Sequence, residues 1–206
     1  MPEALVGETI RWGPIGALVV ASLAIMGSPG PATISLVAAG SAFGARRCLG
    51  YLLGIVLGTA IVLVAVATGI TAALLALPAI RSVLIGLTAA YILWLAYHVA
   101  TAPPLADASA TVRVTFAGGA LLGVANPKAW VAIAAVFAGS HLADAPGADA
   151  TAKTIVLAAM IVVINVTWLG VGASLAPLLR DPRRARLVNV TLAVALVAAT
   201  ALAVVH

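Results

Sequence analysis

Apolar residues run along this chain in six long stretches with short polar intervals between them. Uncharged runs extend from Trp12 to Ala45, Cys48 to Ile80, Ser82 to Ala106, Thr154 to Leu179 and Leu187 to His206. Another, from Val114 up to Asp144, is interrupted only by Lys128. Each is long enough for the roughly 20 residues of helix that cross a hydrocarbon core. The period-two alternation of a transmembrane barrel strand is absent. The pattern predicts six helices, near Pro14–Leu36, Leu49–Leu75, Ile80–Val99, Phe116–Ala138, Ile155–Leu178 and Leu187–Val205. The expected fold class is therefore all-α, a polytopic membrane protein of six transmembrane helices in a single domain.

Composition agrees with this pattern. Of 206 residues, 64% are hydrophobic and 8% charged, more apolar surface than a soluble domain of this length can hide. The net charge of +5 does not point to nucleic acid, because the basic residues lie between the apolar runs rather than on one patch. Their distribution reads as topology. The loops after helices one, three and five hold Arg46, Arg47, Arg113, Arg180, Arg183, Arg184 and Arg186, against Arg11, Arg81 and Lys153 on the other side. By the positive-inside rule the former face the cytoplasm and both termini lie outside. One cysteine, Cys48, excludes an internal disulfide and a cysteine metal cluster, and reads as a packing residue. A cleavable signal peptide is not expected, since the first apolar run is too long and is preceded by Glu3 and Glu8 with only Arg11 as a basic residue. The third loop, with Pro103 and Pro104, reads as a cytoplasmic linker (about 100–115) joining two halves, about 14–99 and about 116–205. The stretch from Ser140 to Lys153 reads as a solvated turn without metal-ligand spacing.

Two of the predicted helices carry residues that should break them. "GSPGP" puts Gly27 four residues before Pro31, and "GVANP" puts Gly123 four before Pro127. A proline gives no amide to the carbonyl four residues earlier and presses its ring against it, so Gly27, Gly123 and, through Pro29, Ile25 should keep free carbonyls. Such groups cannot face lipid; they must face protein or a wet cavity. Each break also starts a half-helix whose orphan amides and positive dipole end point into the membrane. The breaks fall in the first helix of each three-helix half. An odd number of spans per half predicts two inverted repeats, and paired breaks in inverted halves mark a secondary-transporter binding site. Two proline kinks that only shape packing are the alternative.

Lys128 is the one charge deep in a predicted helix, where a cation costs on the order of 3 kcal/mol or more. With no acid inside any predicted helix, its expected partner is an anionic group of the substrate, most simply a carboxylate. The alternative partners are carbonyls bared by the breaks. Because desolvation opposes the charged form of a buried amine, Lys128 is also the candidate carrier of an exchanged proton. The other polar groups at depth are Ser28, Thr33, Thr59, Asn126, Asn165 and Thr167. The two asparagines are the costliest to leave unpaired, whereas hydroxyls often bond back to their own helix. Gly50, Gly54 and Gly58, spaced every four residues, predict close helix packing within a monomer or between monomers. Tyr91, Trp94, Tyr97 and His98 read as an interfacial aromatic belt.

With these residues in view the chain resembles the LysE/RhtB-type amino-acid exporters, the lysine and homoserine–threonine efflux translocators. "GSPGPATI", "GYLLGIVLGT", "AAYILWLAYHV" and "GVANPKAW" carry the likeness, with Asn165 to Trp168 in the fifth helix. The resemblance implies gradient-driven efflux of an amino acid or related metabolite across a bacterial inner membrane. It carries a binding role onto Pro29, Gly30, Pro31, Asn126, Pro127 and Lys128; the reading of the residues themselves adds Gly27, Ser28 and Asn165. Thr59 stands where many members have an acid, and Asn165 where aspartate is frequent, which argues against a cationic substrate. The expected mechanism is alternating access, one half rocking against the other, with the substrate's amino group on carbonyls such as those of Ile25, Gly27 and Gly123. Expected partners are a small amino acid or organic anion, the lipid bilayer and a possible homodimer, with no nucleic acid, cofactor or metal. A passive pore, or an intramembrane hydrolase using Ser28, are the rival classes. The hydrolase lacks a base at the depth of Ser28.

Overall fold

The computed structural model describes residues 12–69, 78–101, 114–175 and 181–205. The described residues are helical apart from short turns. The first predicted helix is two, α1 (Trp12–Ile25) and α2 (Pro31–Phe43). A 3₁₀ turn, Ala45–Cys48, leads into α3 (Leu49–Ala67), and α4 is Pro78–Ala100. The fourth predicted helix is again two, α5 (Phe116–Ala125) and α6 (Pro127–Ala138), bent by 56°. Then come α7 (Pro146–Leu175) and α8 (Pro182–Val205). Spans Ala45–Ala67 and Pro146–Leu175 are each long and apolar enough to cross a membrane, and the bent pair α5–α6 passes the same test when its two halves are taken as one span. The linker, Pro103, Pro104, Arg11, Arg113 and Arg180, and the expected helix ends at Leu75 and Leu178, lie outside the described residues.

Two helix starts lie well upstream of the sequence expectation, and both fall on a proline. α8 begins at Pro182 because the Asp181 carboxylate accepts from the amides of Arg183 and Arg184, at 2.9 and 3.0 Å. That is an N-cap followed by a first-position proline. α7 begins at Pro146, so the stretch expected to be a solvated turn is partly helix and partly core. Asp149 and Lys153 are buried and paired at 2.6 Å, one helical turn apart. Asp149 also accepts from the amides of Leu142 and Ala143, at 2.5 and 3.3 Å, which pins the fully buried Leu142.

The helices pack mainly across the two halves of the chain. α3 lies on α5 and α6, and α7 correspondingly on α2 and α1; α2 meets α8 as α6 meets α4; α4 meets α8 and α3 meets α7. Exchanging the halves maps these pairs onto one another, whereas the packing of α4 on α5 has no α8–α1 counterpart of similar extent. Along the α3–α5 seam the backbones touch: a Cβ added to Gly54 would come 2.8 Å from the Ala120 amide, and one on Gly58 3.1 Å from the Gly123 Cα. Small residues let membrane helices approach this closely. Gly50 takes no part, having nothing within 4 Å of such a Cβ. Tyr91 also departs from the expected belt, turning inward to stack on Tyr51 at 6.3 Å, while Trp94 and Tyr97 stay exposed. Cys48 is fully buried packing.

Buried side chains form two clusters. One joins α2, α3, α4, α5, α7 and α8 around Leu36, Ile55, Ile92, Leu169 and Leu196. The other joins α1, α3, α6 and α7 around Leu18, Leu63, Ile133 and Ile161, with Leu142 plugged into it.

Candidate functional site

Each break leaves a definite set of backbone groups without helical partners, and the structure accounts for nearly all of them. At the first break the Ile25 carbonyl takes the Ser28 hydroxyl, at 2.8 Å. The Gly27 carbonyl takes the indole N–H of Trp168 from α7, at 3.1 Å. The carbonyls of Ser28 and Pro29 both receive the Lys128 ammonium, the latter at 3.3 Å. At the second break the Asn126 carboxamide oxygen caps the Lys128 amide at 3.2 Å, Trp130 Nε1 donates to the Val124 carbonyl at 2.7 Å, and Thr88 of α4 donates to the Ala125 carbonyl at 2.6 Å. Unpaired polar backbone is expensive away from water, so these side chains make the breaks tolerable.

The amides at the start of α2 are the exception. Ser28 and Pro29 would be the acceptors for Ala32 and Thr33 in a continuous helix, but Lys128 holds those carbonyls instead. Backbone pairing in α2 resumes only with the Ile34 amide on the Gly30 carbonyl, at 2.9 Å. Thr33 turns its hydroxyl back on Gly30, accepting from its amide at 2.9 Å and donating to its carbonyl at 3.1 Å. The first turn of α2 thus presents two donors and a positive dipole end, an arrangement that suits an anion.

A cavity of about 50 Å³ opens at this point, room for roughly four waters. Its polar lining is Gly30, Thr33, Thr59, Asn126, Lys128 and Asn165, and its apolar wall includes Met26, Ala132, Ile133, Ile161 and Ile164. It touches both clusters, through Ala32 on one side and Ile133 and Ile161 on the other. Lys128 lies against Gly30, where an added Cβ would be 2.6 Å from the lysine Cδ. Asn165 donates its amide to the Ile161 carbonyl one turn earlier, at 2.7 Å.

Of the residues singled out from sequence, the structure gathers Gly30, Asn126, Lys128 and Asn165 around the cavity. Pro31 and Pro127 open α2 and α6 behind it. Gly27, Ser28 and Pro29 form the linker that Lys128 and Trp168 hold, with Pro29 exposed. The Ile25 and Gly27 carbonyls, expected to await a substrate amine, each already accept one hydrogen bond, from Ser28 and Trp168. Thr167 points away, bonded to the Val163 carbonyl at 2.8 Å. Trp130, Trp168 and Thr88 were not found from sequence as partners of the breaks. An N–H or O–H donor near a proline break is the only signal that marks them.

A model of the LysE type translocator family matches residues 23–205, from the end of α1 to the end of α8. The chain belongs to the LysE type translocator family. Neither a curated protein nor a solved structure matches it. As a LysE type translocator it is a membrane transport protein for amino acids or related small molecules, of a family that transports rather than catalyses. The family match spans both breaks, so the cavity between them lies wholly within the translocator unit.

Proposed function

We propose that this translocator exports a neutral amino acid, or a comparably small zwitterion, across the bacterial inner membrane by alternating access around the two breaks. The substrate carboxylate takes the Lys128 ammonium and the amides of Ala32 and Thr33. The observation that carries this reading is the set of donors at one wall of the cavity: a half-buried ammonium beside two amides without backbone acceptors among the described residues, and no carboxylate among the described lining residues. A dibasic substrate or a divalent cation finds no counter-charge there, and a bare cation at depth is costly.

In this reading the chain makes six spans in two inverted repeats, α1–α4 and α5–α8, with both termini outside. The contacts that do exchange with the halves, α3–α5 with α7–α1 and α3–α6 with α7–α2, support the repeats. Rocking of one half against the other, expected from sequence, would shear α3 across α5 where Gly54 and Gly58 sit on backbone. In this reading the two breaks bend instead, and the α3–α5 seam stays closed. Lys128 releases or rebinds its proton as the carboxylate leaves or arrives, which couples flux to pH.

The test is counterflow in vesicles loaded with leucine, threonine or lysine. Exchange of leucine or threonine, well above that of lysine, is the expected result. A clear preference for lysine would overturn the proposal.

A further inference from the structure

We infer that Thr59 and Asn165 form the ammonium-reading side of the cavity, and that Thr59 is the residue that selects a zwitterion over a plain carboxylate. This rests on the amino-acid reading above and goes beyond it by assigning the second charge of the substrate.

A substrate ammonium that enters the cavity leaves water and must find acceptors. The break carbonyls are committed: Ile25 to Ser28, Gly27 to Trp168, Ser28 and Pro29 to Lys128. The Thr33 hydroxyl is used in both directions on Gly30, and the Asn126 oxygen caps α6. Two side-chain acceptors remain among the described lining residues. Asn165 gives its N–H₂ to Ile161, which leaves its Oδ1 uncommitted. The Thr59 hydroxyl carries no hydrogen bond among the described residues, although the residue is only 8% exposed.

That state of Thr59 is unusual in this molecule. Other helix hydroxyls bond back one turn: Ser22 to Leu18, Thr68 to Val64, Thr167 to Val163 and Thr200 to Leu196. A threonine in a membrane helix normally does so. Thr59 instead stands at the second break, where a Cβ on Gly123 would come 2.9 Å from the Thr59 amide, and lines the cavity with its hydroxyl unspent. The site therefore divides its work by element. The broken helices supply donors for the carboxylate, while the unbroken α3 and α7, which pack on each other, supply neutral acceptors for the ammonium. A hydrogen bond to a charged group is worth on the order of tenfold or more in affinity.

The experiment compares leucine, threonine and alanine with their counterparts lacking the amino group, namely 4-methylpentanoate, 3-hydroxybutanoate and propanoate. Each is scored as a competitor of counterflow, and by thermal protection of the detergent-solubilised full chain. In the wild type the amino acids should outcompete their counterparts on the order of tenfold. Thr59→Val should bring that ratio toward one by weakening the amino acids, and Thr59→Ser should restore it. Thr59→Ala serves if the valine variant does not fold. A Thr59→Val or Thr59→Ala protein that keeps the wild-type ratio would overturn the assignment of Thr59. Equal recognition of both series by the wild type would refute the ammonium subsite and leave the carboxylate site standing. Recognition of neither series would remove the amino-acid reading and this inference together.

Discussion

The Lys128 ammonium donates to the Ser28 carbonyl, tying together two helix breaks that lie 100 residues apart in the chain. With Pro29 as its second acceptor, Lys128 takes the place of two backbone amides in the helix that Pro31 interrupts. The two alternatives for this lysine, a substrate anion or bared carbonyls, are thus not exclusive. The carbonyls hold the ammonium at the cavity wall, and the same restraint frees the Ala32 and Thr33 amides for an anion. Under the proposed function, a carboxylate that draws the ammonium toward itself would loosen the link between the breaks and so couple binding to bending.

Lys128→Met should accordingly weaken substrate binding by roughly 10- to 100-fold, the worth of a charge-assisted hydrogen bond, and abolish pH-driven flux. Uptake into vesicles under an imposed pH gradient checks both. Gradient-driven transport that survives the substitution would rule out Lys128 as the proton carrier.

Gly30→Ala is the corresponding change on the facing wall. Its methyl would meet the Lys128 side chain at 2.6 Å from Cδ, inside any real contact, and push the ammonium off its carbonyls. The backbone at Gly30 is extended, with φ at −166°, so an alanine fits the conformation and the fold should survive. Transport should fall about tenfold or more with a melting temperature in detergent near the wild-type value.

Much of this arrangement was legible in the sequence, and what was not has a physical cause. Proline chemistry alone placed both breaks, because the missing amide and the ring clash act locally. That Lys128 stands inside an otherwise uncharged run was plain from the sequence. The partners of the breaks were hidden because Trp168 reaches Gly27 from 141 positions away and Thr88 reaches Ala125 from 37. Such distances depend on how helices pack. Asp149 and Lys153 looked solvated because charge in a loop normally is. Only their spacing of four behind Pro146 marks a helix start, and the cover over Lys153 comes from another helix, through Phe137, whose ring lies 5.0 Å from the lysine Nζ.

Trp168→Phe isolates one of those hidden partners. The ring volume is largely kept while the N–H that satisfies the Gly27 carbonyl at 3.1 Å is removed. Leaving a half-buried carbonyl without a donor costs about 1–3 kcal/mol. The change should lower the melting temperature in detergent by several degrees, and unchanged stability would show that water replaces the indole.

The Asp149–Lys153 pair predicts strong non-additivity. Both groups are buried and 2.6 Å apart, so removing either leaves the other charge without its partner, at about 3–5 kcal/mol. Asp149→Asn also weakens the hold on the amides of Leu142 and Ala143, so it should cost at least as much as Lys153→Met. The double variant should be less destabilised than the sum of the singles. A denaturation cycle measures this, and additive losses would mean that the pair is hydrated in solution.

The three glycines of α3 separate packing within the chain from packing between chains. Gly58 sits on α5, where an added Cβ would come 3.1 Å from the Gly123 Cα, with backbone rather than flexible side chain in the way. Gly58→Leu must therefore part α3 from α5, an overpacking cost of about 1–3 kcal/mol, and take the cavity's Thr59 with it. Gly50 lies two turns earlier on the same helix with nothing within 4 Å of a Cβ, so Gly50→Leu should stay within about 0.5 kcal/mol of the wild type. If position 50 instead proves as sensitive as position 58, and its loss of stability depends on protein concentration, that face is covered by a second copy of the chain. Sedimentation of the Gly50→Leu protein in detergent would then show a smaller species than the wild type.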